Sequence, residues 1–141
     1  MKERKLRFVL AKLGLEDHSR TLYVVAQGLR DAGIEVIYLG PHQTPEGVVK
    51  VAIAEDADAI GLSFHTMTYL GWVVDTVNKL KEYKVEDICL FVGGAIINED
   101  IPVILSAGAK AVFPPGILMS EIASTIKEIV RKERWEATIK T

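Results

Sequence analysis

Short apolar runs alternate along the chain with longer stretches whose apolar residues recur three and four positions apart. Leu6 to Ala11 is the first run, nearly unbroken at its end, as expected of a strand whose sheet is covered by helices on both faces. From Thr21 to Ala32 the residues Leu22, Val25, Ala26 and Leu29 form a helical stripe, with Ser19 as N-cap and Gly33 as the stop. Ile34 to Leu39 is a second strand, closed by Gly40-Pro41. Thr44-Pro45-Glu46 opens a helix with a capping hydroxyl and a proline in the first turn, and Val48, Val49, Ala52 and Ile53 supply its buried stripe. Ala59 to Ser63 is a third strand, followed by a polar loop from Phe64 to Thr68. Trp72, Val73, Thr76, Val77 and Leu80 return to helical spacing, and Ile88 to Val92 makes a fourth strand that ends at Gly93-Gly94. Asn98 to Ala107 is a short helix stopped at Gly108, Ala111 to Phe113 a fifth strand, and Met119 to Lys132 the last helix. The charged tail from Arg131, with Trp135 and Ile139, either extends that helix or frays.

Five strands alternating with five helices predict a doubly wound, mostly parallel α/β sheet of flavodoxin-like type, strand order 2-1-3-4-5. No repeat or linker divides the chain, so 1–141 is read as one domain with its core at about 5–132 and a tail at 133–141. Right-handed crossovers place every loop that follows a strand at one edge of such a sheet. Lys12, Glu16 and His18 then follow strand one, Ser63 and His65 strand three, Gly93 and Gly94 strand four, and Gly116 strand five. These four loops converge on the edge where open α/β sheets bind ligands. Glycines open a slot at the backbone and Ser63 adds a hydroxyl, which suits an extended, largely apolar ligand.

Composition narrows the choice. Apolar residues at 49% and charged residues at 26% exclude a disordered chain, and a net charge of -2 gives no footprint for nucleic acid. No run approaches the ~20 apolar residues of a membrane span, and Lys12 interrupts the first run too early for a signal peptide, so a cytoplasmic location is expected. With Cys89 as the single cysteine there is neither a disulfide framework nor a cysteine-rich metal site, and Cys89 is expected in the core. The loop at Gly14 lacks both G-x-G-x-x-G and the P-loop Gly-Lys-Ser/Thr. A phosphorelay receiver would carry paired acids after strand one and an Asp after strand three, where this chain has Ala11-Lys12 and Ser63. Ser63 also lacks the G-x-S-x-G elbow of a nucleophile, and His18 with His65 lacks a third metal ligand. A lone loop histidine such as His18 is ordinarily solvated, so its convergence with the other loops is what singles it out.

Lys12, Glu16, His18, Ser63, Gly93-Gly94 and Pro115-Gly116 together resemble the cobalamin-binding domain of adenosylcobalamin-dependent acyl-CoA mutases of the methylmalonyl-CoA mutase type, from about Lys5 to Lys132. The family signature is D-x-H-x-x-G, then S-x-L, then G-G. Here Glu16 stands in place of the Asp, Thr21 of the glycine, His65 of the leucine, and Ile117 of a threonine usual after Pro-Gly. The resemblance implies His18 as the lower cobalt ligand, displacing the cofactor's own base into a slot beside the sheet. Glu16 and Lys12 would stand behind His18, Ser63 would hydrogen-bond the base, and Gly93 and Gly94 would make room for the nucleotide tail, with His65 and Gly116 also on the cofactor edge. It further implies adenosylcobalamin as cofactor and a separate large barrel-type subunit that binds acyl-CoA, with the chain inactive in radical isomerisation on its own. A homodimer is left open, and no nucleic-acid or membrane partner is expected. Phe64, Tyr69 and Trp135 are either partner contacts or core, with core packing favoured. Two other readings are a non-catalytic relative that has lost cobalamin and, ranked last, a methyl-transfer corrinoid shuttle, which usually carries a helical cap domain before this fold.

Overall fold

The computed structural model describes residues 5–14 and 20–136, so the expectations for Glu16, His18, Ser19 and Ile139 lie outside the described residues. The strands β1 (Arg7–Leu13), β2 (Glu35–Gln43), β3 (Ala59–Phe64), β4 (Cys89–Gly94) and β5 (Ala111–Phe113) form one parallel sheet in the order 2-1-3-4-5, as the pattern predicts. Between them run α1 (Arg20–Asp31), α2 (Pro45–Ala54), α3 (Tyr69–Glu82), α4 (Ile101–Ala107) and, after β5, α5 (Met119–Val130).

Strand side chains alternate between faces, and both faces are covered. Val9, Ala11 and Leu13 of β1 join Ile60, Leu62 and Phe64 of β3 in one core, which Val48 and Val49 of α2, Val73 of α3 and Ile104 of α4 close. Phe8 and Leu10 join Phe91 of β4 in the other, closed by Leu22, Ala26 and Leu29 of α1 and Ile126 of α5. Double-sided burial is why the strands read as apolar runs rather than as alternating sequences.

Several boundaries differ from the sequence reading. β1 continues through Lys12 to Leu13, so Lys12 is a strand residue and not the start of a loop. β2 runs on through Gly40-Pro41 to Gln43, because register shifts after Leu10 and after Ala11 keep it paired to β1. Left-handed backbone at Gly40 (φ 78°) and His42 (φ 65°) bends this extension, and the Gln43 carboxamide ties it by donating to the carbonyls of Leu39 and Pro41. Phe64 extends β3 and is fully buried, where a loop residue was expected. Ile53 is 41% exposed, so the buried stripe of α2 narrows to Val48, Val49 and Ala52, while the Thr44 cap forms as read, accepting from Gly47 N at 3.0 Å. The first part of the expected fourth helix is a 3-10 turn at Asn98–Asp100.

The tail extends the last helix as a π-helical turn, Arg131–Glu136, held by an anchor on the sheet. Asp58, just before β3 and 1% exposed, accepts hydrogen bonds from Arg7 N (3.0 Å), Arg134 Nε (2.9 Å) and Trp135 Nε1 (3.0 Å). Arg134 also reaches Asp87 at 2.5 Å. The tail is thereby clamped to the amino ends of the strands. Phe64 and Tyr69 are core residues in edge-on contact at 6.2 Å, and Trp135 is half-buried. Cys89 is fully buried, and desolvation pushes its thiol up to about 11. Among the described residues no helix is long and apolar enough to cross a membrane.

Candidate functional site

On the sheet face covered by α1 and α5, three neighbouring strands carry a graded ladder of residues. Phe8 and Leu10 lie on β1 with Lys12 above them, Gly61 and Ser63 on β3 with His65 beyond, and Phe91 and Gly93 on β4. The register aligns Leu10 with Gly61, Gly61 with Phe91, and Ser63 with Gly93. The ladder is apolar or without side chains at mid-strand and becomes polar toward the carboxyl edge.

The rings of Phe8, Phe91 and Phe113 form a stacked row, with neighbouring centroids 6.1 Å apart and interplanar angles of 22° and 21°. Gly61 is what lets the Phe8 ring approach β3 this closely, since a Cβ there would fall 2.4 Å from it. Between this aromatic floor and the two helices lies a slot of about 90 Å³, walled by Val25 of α1 and by Ile122 and Ile126 of α5. Among the described residues lining it, only Ser63 and Thr21 have polar side chains. Ser63 is 7% exposed, whereas Thr21 sits exposed on the first turn of α1, so its side chain borders the slot without filling it. Gly93 and Gly94 close the carboxyl end; a Cβ on Gly93 would lie 3.4 Å from the Phe113 carbonyl, and one on Gly94 only 2.0 Å from that of Phe64.

Above Ser63 the chemistry changes. Lys12 is fully buried, and its ammonium donates to the Ser63 carbonyl at 3.3 Å and meets His65 Nδ1 at 2.9 Å. An ammonium has no acceptor capacity, so His65 Nδ1 accepts, and in the neutral imidazole the ring proton lies on Nε2. The loop after β4 is pinned nearby: the Tyr69 hydroxyl donates to Asp100 and accepts from Ile97 N at 3.4 Å. The Asp100 carboxylate also raises the Tyr69 phenol above its ordinary pKa.

The structure thus brings Ser63, Gly93 and Gly94 to the slot and pairs Lys12 with His65 at its rim. Gly116 does not line the slot; it lies exposed in the β5 to α5 loop on the same sheet edge, with φ 98° and open space around it. Sequence reading missed the aromatic floor and Gly61. A glycine inside the apolar run Ala59-Ile60-Gly61-Leu62 was the available sign, since it marks a close approach to the backbone.

Comparison with known proteins agrees with this geometry. The family model described as the B12 binding domain matches residues 6–136. The 2-hydroxyisobutanoyl-CoA mutase small subunit of Aquincola tertiaricarbonis is 38% identical over 130 residues, covering 89% of this chain and 96% of that protein. The pivalyl-CoA mutase small subunit of Xanthobacter autotrophicus is 38% identical over 133 residues, covering 94% of this chain and 89% of that one. Among solved structures, a cobalamin-binding protein from Desulfitobacterium hafniense DCB-2 superposes with a TM-score of 0.75 at 21% identity, over 89% of this chain and 59% of that one, a likeness of fold. The chain belongs to the B12-binding domain family. Within that family it belongs with the small subunits of acyl-CoA mutases, which it matches over nearly their whole length.

Proposed function

We propose that the chain carries adenosylcobalamin in the cytoplasm for an acyl-CoA mutase whose substrate is held by a separate, larger barrel-type subunit. The observation that carries this reading is the slot beside the sheet, flat, apolar and floored by aromatic rings and glycine, with the Ser63 hydroxyl at its polar end. That is the environment a planar aromatic base with one hydrogen-bonding nitrogen requires, since further polar groups would be buried there without partners.

The residues divide the work by position. Ser63 donates a hydrogen bond to the base, and Gly93 and Gly94 leave room at the backbone for the nucleotide tail. His18 would bind the cobalt, Glu16 would accept from its far ring nitrogen, and the Lys12 ammonium would stand behind them as the charge that favours an ionised carboxylate. His65 and Gly116 complete the cofactor edge. Bound adenosylcobalamin supplies a cobalt-carbon bond that breaks homolytically to start a radical carbon-skeleton isomerisation. The chain itself binds, orients and shields, and isomerase activity needs both subunits.

The test is retention and spectrum. The purified chain, equilibrated with adenosylcobalamin and freed of excess, is expected to hold one equivalent with the base displaced. His18→Ala should abolish that spectral form, and Ser63→Ala should weaken binding by up to about tenfold, the worth of one hydrogen bond. Failure to retain any corrinoid, alone or with the large subunit, would refute the reading.

A further inference from the structure

We propose that His65 is a positioning residue of the cofactor site, holding the buried Lys12 ammonium at the rim of the slot. The inference rests on the cobalamin reading and goes beyond it by assigning a role to a contact between two strands.

Lys12 lies on β1 directly beyond Leu10 on the slot face, with its whole side chain out of solvent. A buried ammonium has to be met by acceptors, and their placement decides where its charge points. The Ser63 carbonyl at 3.3 Å is beyond the usual range for such a bond, while His65 Nδ1 at 2.9 Å is in the middle of it. Of these two contacts the imidazole makes the shorter, so it draws the ammonium toward the end of β3. His65 is the first residue after β3, which is registered with β1 from Ala59 to Leu62 and with β4 as far as Phe64, so its ring stands next to the end of a paired strand. The charge it holds stands where β1 passes through Leu13 and Gly14 into the connection that bears Glu16 and His18. His65 therefore acts on the cofactor through Lys12.

The experiment compares the wild-type chain with His65→Leu, His65→Gln, Lys12→Met and the double variant His65→Leu/Lys12→Met, with thermal melts as a control for folding. Adenosylcobalamin affinity and the visible spectrum of the bound form are read for each. His65→Leu is expected to lower affinity about 10- to 100-fold, the usual effect of losing a group that orients a metal ligand from behind, and to reduce the base-displaced form. His65→Gln, whose amide oxygen can accept from Lys12, should recover most of both. The double variant should bind no worse than Lys12→Met alone, because the two residues act as one unit. In the cofactor-free wild-type chain, 15N NMR should show His65 protonated on Nε2, a preference that Lys12→Met removes. This last measurement decides the matter if His65→Leu does not fold. Multiplying effects in the double variant, a Gln variant no better than Leu in a folded protein, or a proton on Nδ1 would overturn the proposal while leaving cobalamin binding intact. A wild-type chain that retains no corrinoid would overturn the cobalamin reading and this role with it.

Discussion

Replacing Asp58 by alanine removes the acceptor that three donors share, Arg7 N, Arg134 Nε and Trp135 Nε1. The carboxylate is 1% exposed and the Arg134 side chain 14%, so water replaces little of what is lost. Breaking a buried ion pair from one side costs about 3–5 kcal/mol, because the remaining charge is stranded. Arg134 keeps Asp87 at 2.5 Å, which places the cost near the lower end, at about 3 kcal/mol. For a chain of 141 residues, an unfolding entropy of about 2.1 cal/mol/K per residue turns that into a fall in Tm of about 10 °C. Urea unfolding followed by the fluorescence of Trp72 and Trp135 should show the midpoint shifted with the slope unchanged. Arg134→Met should cost less, since Asp58 still accepts from Arg7 N and the Trp135 indole. The double variant should cost less than the sum of the two. Because Asp58 does not line the slot, whose polar end at Ser63, Gly93 and Gly94 lies at the opposite ends of the strands, the folded variant should bind cofactor as tightly as the wild type. A loss below about 1 kcal/mol, within the range of exposed ion pairs, would refute the assignment of the clamp as a buried one.

Two further expectations separate backbone geometry from burial. Gly94→Ala forces a Cβ to within 2.0 Å of the Phe64 carbonyl at φ 111° and should leave little folded protein. Gly33→Ala, at φ 88° with nothing within 4 Å, should cost only the strain of a left-handed residue, about 1–2 kcal/mol, and urea titration of both tests the contrast. Cys89 has a thiol raised to about 11 by desolvation, so the folded chain keeps its proton where the unfolded chain has lost it. Its contribution is fully present below an ordinary thiol pKa of about 8.5 and is lost as pH climbs toward 11, so the urea midpoint should fall across that window in the wild type and less in Cys89→Ala.

The sheet is legible because its central strands, β1, β3 and β4, are buried on both faces along most of their length, which turns a strand into a short apolar run with a turn signal at its end. What escaped notice depended on partners far along the chain. Lys12 reads as the first residue after the strand because lysine rarely lies buried, and two of the groups that meet it, the Ser63 carbonyl and His65 Nδ1, stand more than fifty residues away in sequence. Gly40-Pro41 read as a stop because the register shifts that carry β2 past them arise from pairing with β1 and leave no local trace. Phe64 reads as loop since polar residues follow it, yet it pairs with Gly94 and packs on Tyr69. Within the site, Ser63, Gly93 and Gly94 were found from their place after strands. The Phe8, Phe91 and Phe113 floor was not, because aromatic residues in apolar runs look the same whether they fill a core or line a slot.

That ambiguity has a counterpart in the molecule. Phe8, Leu10, Leu29, Phe91 and Ile126 belong to the core of one sheet face and also line the slot, so the slot is a gap in that core rather than a pouch on the surface. A ligand seated there supplies the missing packing between the sheet and the two helices, and at one hundred times its dissociation constant it adds about 2.7 kcal/mol to folding. Cargo and scaffold are then under one thermodynamic constraint. The lifetime of the folded chain against proteases, measured with and without corrinoid in the medium, becomes a gauge of how much of it is loaded.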